Sequence, residues 1–137
     1  MNIDKLKVGI VVNNSELMDT FLCGSQGGMR RSIRTNSLIL ISDHTKVYHD
    51  RWHNDVILYT GMGLTGNQDF QFMQNKTLYE SQSNGVTIHL FEVLKPKEYT
   101  YMGIAELTDT PYTEQQYDQD ENPRSVCLFP LRIKSND

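Results

Sequence analysis

Gly61-Met62-Gly63-Leu64-Thr65-Gly66 has the G-x-G-x-x-G spacing that lets backbone amides approach a phosphate, and it lies between a predicted strand and a predicted helix. No Lys-Ser/Thr follows, so it is not a P-loop. A dinucleotide fold would also need alternating strand–helix units, which the second half of the chain lacks. A glycine turn from strand to helix is the simpler reading. His44, His49 and His53 stand beside Asp43, Asp50 and Asp55. On a helix His49 and His53 would share a face, as in a zinc helix, but the bracketing residues do not support a helix and Asp50 takes the place of the usual glutamate base. Hydrogen-bonding histidines are expected there, with no metal and no other cofactor. His89 reads as a mid-strand structural residue. Neither an H-N-H pattern nor a nuclease acidic pair with Glu-x-Lys occurs, Glu92 to Lys95 being one residue too long. Serine and cysteine nucleophile elbows are absent too. No residue is assigned a catalytic role.

The elements that must position these groups alternate between short apolar runs and turn signals. Leu6–Val12 reads as a first strand. Asn13-Asn14-Ser15 offers caps for a helix with Leu17, Met18, Phe21 and Leu22 as its stripe and Gly24 as its stop. Gly24–Arg34 reads as a basic glycine loop, Ser37–Ser42 as a buried strand, and Asp43–Asp55 as polar and turn-like. Val56–Thr60 is a strand and Asp69–Gln82 a helix. Asn84-Gly85 turns the chain into a strand over Val86–Val93. Tyr99–Leu107 is a further strand, broken at Gly103. Thr108–Arg124 is a long acidic loop, and Ser125–Ile133 a last strand in which Pro130 predicts an edge or bulge position. Five or six strands and two helices make an α+β arrangement, a small curved sheet or barrel.

The chain of 137 residues, 38% hydrophobic and 22% charged, is ordinary for one globular domain over residues 1–137. Its longest apolar runs, such as Leu38–Ile41, fall far short of the ~20 residues of a membrane span. No N-terminal stretch reads as a secretory signal, and Cys23 and Cys127 make no disulfide framework. A reducing, cytoplasmic setting without a membrane partner is expected. The net charge of −4 does not announce a nucleic-acid binder. However, Arg30, Arg31 and Arg34 cluster where no acid lies between Asp19 and Asp43.

From Ser37 to Leu78 the order is strand (SLILIS), Tyr-x-Asp (Tyr48, Asp50), a strand ending Tyr59-Thr60-Gly61-Met62-Gly63, then Gly66-Asn67-Gln68 and a helix with Gln74, Asn75 and Leu78. This order, over about a third of the chain, resembles the SRA (SET- and RING-associated, YDG) domain family, readers of modified bases in DNA. In particular it is similar to the SRA-like module beside the HNH nuclease of bacterial modification-dependent restriction enzymes. The resemblance implies a PUA-like curved sheet or barrel with two or three short helices. It also implies a non-catalytic reader of double-stranded DNA that flips a modified cytosine, working with a nuclease domain or subunit, a dimer being one arrangement left open.

The chemistry of such a site needs stacking faces and a polar group matched to the base edge, to offset a few kcal/mol of unstacking. Tyr48 and Tyr59 are the expected faces, with Trp52 a competing platform because Tyr48 stands one residue closer to Tyr59 than in the family. Asp50 is the expected acceptor for an exocyclic amine, and the amides of Thr60 and Gly61 are expected to meet base oxygens. Met29, Arg30, Arg31 and Arg34 are expected to enter a groove and touch phosphates, and Asn67, Gln74, Asn75 and Lys76 to contact the DNA backbone. The alternatives are a PUA-like reader of phosphorothioate DNA or modified RNA, and a small nucleotide- or base-modifying enzyme.

Overall fold

The computed structural model describes residues 2–46 and 50–134. After a 3₁₀ turn at Ile3–Lys5 come β1 (Val11–Val12), α1 (Asn14–Phe21), β2 (Met29–Ser32), β3 (Ser37–Asp43), β4 (Arg51–His53) and β5 (Val56–Thr60). Then follow α2 (Gln74–Tyr79), β6 (Thr87–Lys95), β7 (Glu98–Leu107), β8 (Tyr112–Tyr117) and β9 (Pro123–Ile133). The strands form one sheet in the order β2-β3-β6-β7-β9-β5-β4, with β1 added to β7 and β8 to β9. Only β3 and β6 among the described strand pairs run parallel.

β3 is apolar from Leu38 to Ile41 because both its faces are covered. Leu38 and Leu40 point into a core with Ile57, Leu90, Phe129 and Leu131. Ile39 and Ile41 point the other way, onto Leu17 and Phe21 of α1 and onto Phe91 and Tyr101. α1 begins in a capping box: the Asn13 side chain accepts from the Glu16 amide at 2.8 Å and the Glu16 carboxylate accepts from the Asn13 amide at 3.0 Å. The sheet curls until its far ends meet. The Tyr59 hydroxyl on β5 donates to the Gly28 carbonyl, just before β2, at 2.7 Å. The result is the expected α+β curved sheet, with nine strands among the described residues rather than five or six.

Several elements depart from the sequence reading. The first predicted strand is regular only at Val11–Val12, because Lys7–Ile10 closes a turn, Ile10 donating to the Lys7 carbonyl at 3.0 Å, and Gly9 takes φ +98°. The basic glycine loop stops at Gly28, since Met29–Ser32 pairs with β3 as a hairpin. Arg51–His53 is a strand on β5, and the second helix is cut to six residues, starting after Met73, whose positive φ (+46°, ψ −122°) is non-helical. The acidic segment contains β8, whose polar residues are held by the β9 backbone rather than by a buried face. Pro130 is at neither an edge nor a bulge: it pairs with Leu58 inside a central strand, where β9 changes partner from β8 to β7. Its missing N–H falls in that gap, so no ladder bond is lost.

His89 on β6 is buried against the Phe21 ring, its Nδ1 2.9 Å from the Tyr101 hydroxyl. Burial lowers its pKa from 6.5 to about 4. The unfolded chain therefore takes up this proton as pH falls below 6.5, whereas the folded chain resists until about 4. Stability is lost through that window, by about 3 kcal/mol in full. Urea unfolding midpoints at pH 7 and pH 4.5 are expected to differ accordingly, and His89→Phe to flatten the slope.

Candidate functional site

A cavity of about 690 Å³ opens where the C-terminal ends of β3 and β5 meet the start of β2, walled by Asp50, Tyr59, Thr60, Gly61, Met29 and Tyr99. Asp50 Oδ1 accepts from the Thr60 amide at 2.7 Å, and Oδ2 accepts from the Ser42 hydroxyl at 2.8 Å. A carboxylate oxygen has room for two hydrogen bonds, so among the described residues the group keeps acceptor capacity toward the cavity. Burial pushes its pKa above the ordinary carboxylate range, and the Thr60 and Ser42 hydrogen bonds oppose that rise.

Tyr59 is both core and cavity wall, 2% exposed, with its ring against the inner core. Tyr48 lies outside the described residues. Trp52 does not line the cavity; its indole N–H donates to Glu92 Oε2 at 3.0 Å, behind Asp50. The Thr60 and Gly61 amides are spent inside the protein, on Asp50 and on the Cys127 carbonyl at 2.9 Å, which corrects their expected role toward base oxygens.

The basic segment is divided. Met29 is a buried β2 residue facing the core, not a loop tip; the exposed tip is Gly24–Gly28, with Gln26 on the cavity wall. Arg30 is 6% exposed, its guanidinium donating to Asn14 Oδ1 at 2.6 Å and the Gly27 carbonyl at 2.9 Å, 5.8 Å from the Tyr99 ring. It builds the cavity wall rather than reaching outward. Arg31 straps the β2–β3 hairpin through the Ser32 and Ser37 carbonyls, at 2.6 and 3.0 Å. Arg34 is exposed, but in the hairpin turn, at the opposite end of β2 from the cavity. Lys46 is an exposed cation on the cavity wall that sequence reasoning missed.

The glycine loop is held from within by polar side chains. Asn75, expected on DNA, is fully buried. Its Oδ1 accepts from the Met62 amide at 2.7 Å, and its Nδ2 donates to the Asp69 carbonyl at 3.0 Å. Gln68 donates to the Gly61 and Gly63 carbonyls and accepts from the Cys127 amide at 2.9 Å. Arg124 donates to the Gly63 carbonyl at 2.6 Å. Asn67 accepts from the Ser125 amide at 2.8 Å, and Gln74 from the Thr77 hydroxyl at 2.8 Å, while Lys76 is exposed. The acidic turn after β8 docks here. Hydrogen bonds from the Asn122 and Asp120 amides hold the Asp118 carboxyl below its ordinary range, and neighbouring Gln119 lines the cavity. Asn67, Gln68, Gln74 and Asn75 all stood in the Gly66-to-Leu78 stretch that the sequence singled out, but nothing there told of their inward hydrogen bonds. The buried roles of Arg124 and Asp118 had no sequence signal.

The family model described as ScoMcrA-like, SRA domain, matches residues 8–136. The chain belongs to the ScoMcrA-like SRA domain family. No curated protein sequence matches it. Among solved structures, this SRA domain is similar to the sulfur binding domain and SRA domain of ScoMcrA complexed with phosphorothioated DNA, with TM-score 0.76 and 19% identity over 94% of this chain and 40% of that one. It is similar to the SUVH5 SRA domain in a methylated CHH DNA complex, with TM-score 0.71 and 22% identity over 97% and 92%. It is also similar to the modification-dependent TagI restriction endonuclease, with TM-score 0.71 and 22% identity over 98% and 52%. The curved sheet is thus the SRA/PUA-like α+β fold. The chain spans less than half the length of the ScoMcrA chains it matches.

Proposed function

We propose that this SRA domain reads a modified cytosine flipped out of a DNA duplex, as the targeting module of a modification-dependent restriction system. The observation that carries the reading is Asp50, a carboxylate held on the cavity wall by Ser42 and Thr60 with acceptor capacity to spare. A cytosine presents its exocyclic amine as a donor, which a carboxylate accepts. Half-buried Tyr99 supplies aromatic surface at the same cavity, whose wall Tyr59 helps to build, and Lys46 a cation for the phosphate beside the flipped nucleotide. Arg34 and Lys76 are exposed and free to add phosphate contacts. The chain acts as one reading unit in the cytoplasm, without catalysis of its own, and a nuclease domain or subunit cuts.

Fluorescence anisotropy at one fixed salt concentration tests this with matched duplexes carrying cytosine, methylcytosine, hydroxymethylcytosine, glucosylated cytosine or a phosphorothioate. One modified cytosine is expected to bind at least roughly tenfold more tightly than cytosine, a difference of about 1.4 kcal/mol. A phosphorothioate preference that survives Asp50→Ala moves recognition to the backbone. Equal binding throughout refutes the reading, and a ribose-containing panel then tests RNA.

A further inference from the structure

Behind Asp50 runs a chain of hydrogen bonds that the base pocket does not itself require. Ser42, fully buried on β3, donates to Asp50 Oδ2 at 2.8 Å. Its oxygen lies 3.4 Å from His44 Nε2, which is 2.7 Å from Glu92 Oε2 on β6. The same Glu92 oxygen accepts from the Trp52 indole of β4. A carboxylate only accepts, so the single His44 Nε2 hydrogen is directed at Glu92, with the Ser42 oxygen a weaker second acceptor at 3.4 Å. Ser42 then has an acceptor on one side and a donor on the other, which orients its own hydrogen toward Asp50.

We propose that Ser42, oriented by the His44–Glu92 pair, is a positioning residue that keeps Asp50 a hydrogen-bond acceptor and so sets the pocket's demand for a base bearing an exocyclic amine. This rests on the reading of the cavity as a base pocket. The other charged groups around Asp50 are already engaged or face solvent. Asp43 accepts from the Thr45 amide at 2.9 Å, Arg51 is paired with Glu114 at 2.7 Å, Arg30 is tied to Asn14, and Lys46 is exposed at the mouth. His49, in the same segment, lies outside the described residues. Burial favours the protonated form of Asp50, and a protonated carboxyl can donate to a base oxygen, which would blur the distinction between an amine and a carbonyl. The Ser42 hydroxyl and Thr60 amide favour the charged form together.

The first measurement is a ¹³C NMR titration of the Asp50 carboxyl in the free domain. Ser42→Ala is expected to raise its midpoint by about one pH unit or more, as befits loss of a hydrogen bond to a charged group. Ser42→Thr should restore it, and His44→Phe should shift it the same way by less. The second compares affinities for a duplex with methylcytosine and one with thymine, which keeps the methyl and replaces the amine by a carbonyl. Ser42→Ala is expected to shrink the wild-type preference roughly tenfold, and Ser42→Thr to recover it. An unmoved Asp50 midpoint, or equal weakening toward both duplexes, overturns the proposal. A wild-type domain with no preference refutes the base-pocket reading instead, while the titration still decides what Ser42 does to Asp50.

Discussion

Asp50→Ala is expected to remove most of the preference for a modified cytosine while leaving weak, salt-dependent binding to any duplex. The lost interaction is a hydrogen bond from an exocyclic amine to a charged acceptor, about 2 kcal/mol or roughly thirtyfold in affinity. Phosphate contacts carry no base information and so survive. Asp50→Asn is the sharper test. The Thr60 amide needs an acceptor, which fixes the amide oxygen at the Oδ1 position and leaves the NH₂ group facing Ser42 and the cavity. A donor then meets the cytosine amine, and preference should move toward a base with oxygen in that position. The wild-type preference should also weaken as pH falls through the raised Asp50 pKa, because the protonated carboxyl no longer accepts at both oxygens. Anisotropy titrations between pH 5 and 8, within the range where the fold persists, read all three effects.

Gly61→Ala is expected to unfold the site from behind. A Cβ at Gly61 would stand 2.7 Å from Asn75 Oδ1 and 3.1 Å from the Phe129 ring. Both neighbours are fully buried, so neither has open space to move into. Displacing Asn75 breaks its hydrogen bonds to Met62 and Asp69, which shape the glycine loop. Overpacking plus unsatisfied buried backbone groups amounts to about 4 kcal/mol, a fall in Tm on the order of 10 °C. Modified-base binding should disappear with it. A Gly61→Ala domain that melts like wild type would show that Asn75 yields without cost. The requirement for glycine here is steric approach to a side chain, not a phosphate, which is why the G-x-G-x-x-G spacing was no guide to its purpose.

The sequence by itself determined the parts of this protein that rest on local pattern. β3, β5 and β6 announced themselves as apolar β-branched runs, α1 through its cap and stripe, and Asp50 and Tyr59 through a spacing shared with the SRA family. What it could not determine is where polar side chains end up, because that depends on contacts between residues far apart in the chain. Arg30, Arg31 and Arg34 form one basic cluster in sequence, yet the β2–β3 hairpin sends them to separate tasks. Asn75 sits on what looked like a solvent-facing helix, and only the packing of α2 against the glycine loop buries it. β8 was illegible because its residues are polar on both faces and its stability comes from pairing with β9 across the acidic turn. Trp52 stood two positions from Asp50 and was matched to the pocket, but Asp50 lies just before β4 and Trp52 within it, and Glu92 from β6 takes the indole. Ser42 was in view throughout as the last polar residue of an apolar strand. Only the curl of the sheet, bringing β3 beside the segment that carries Asp50, makes it the donor that steadies the carboxylate.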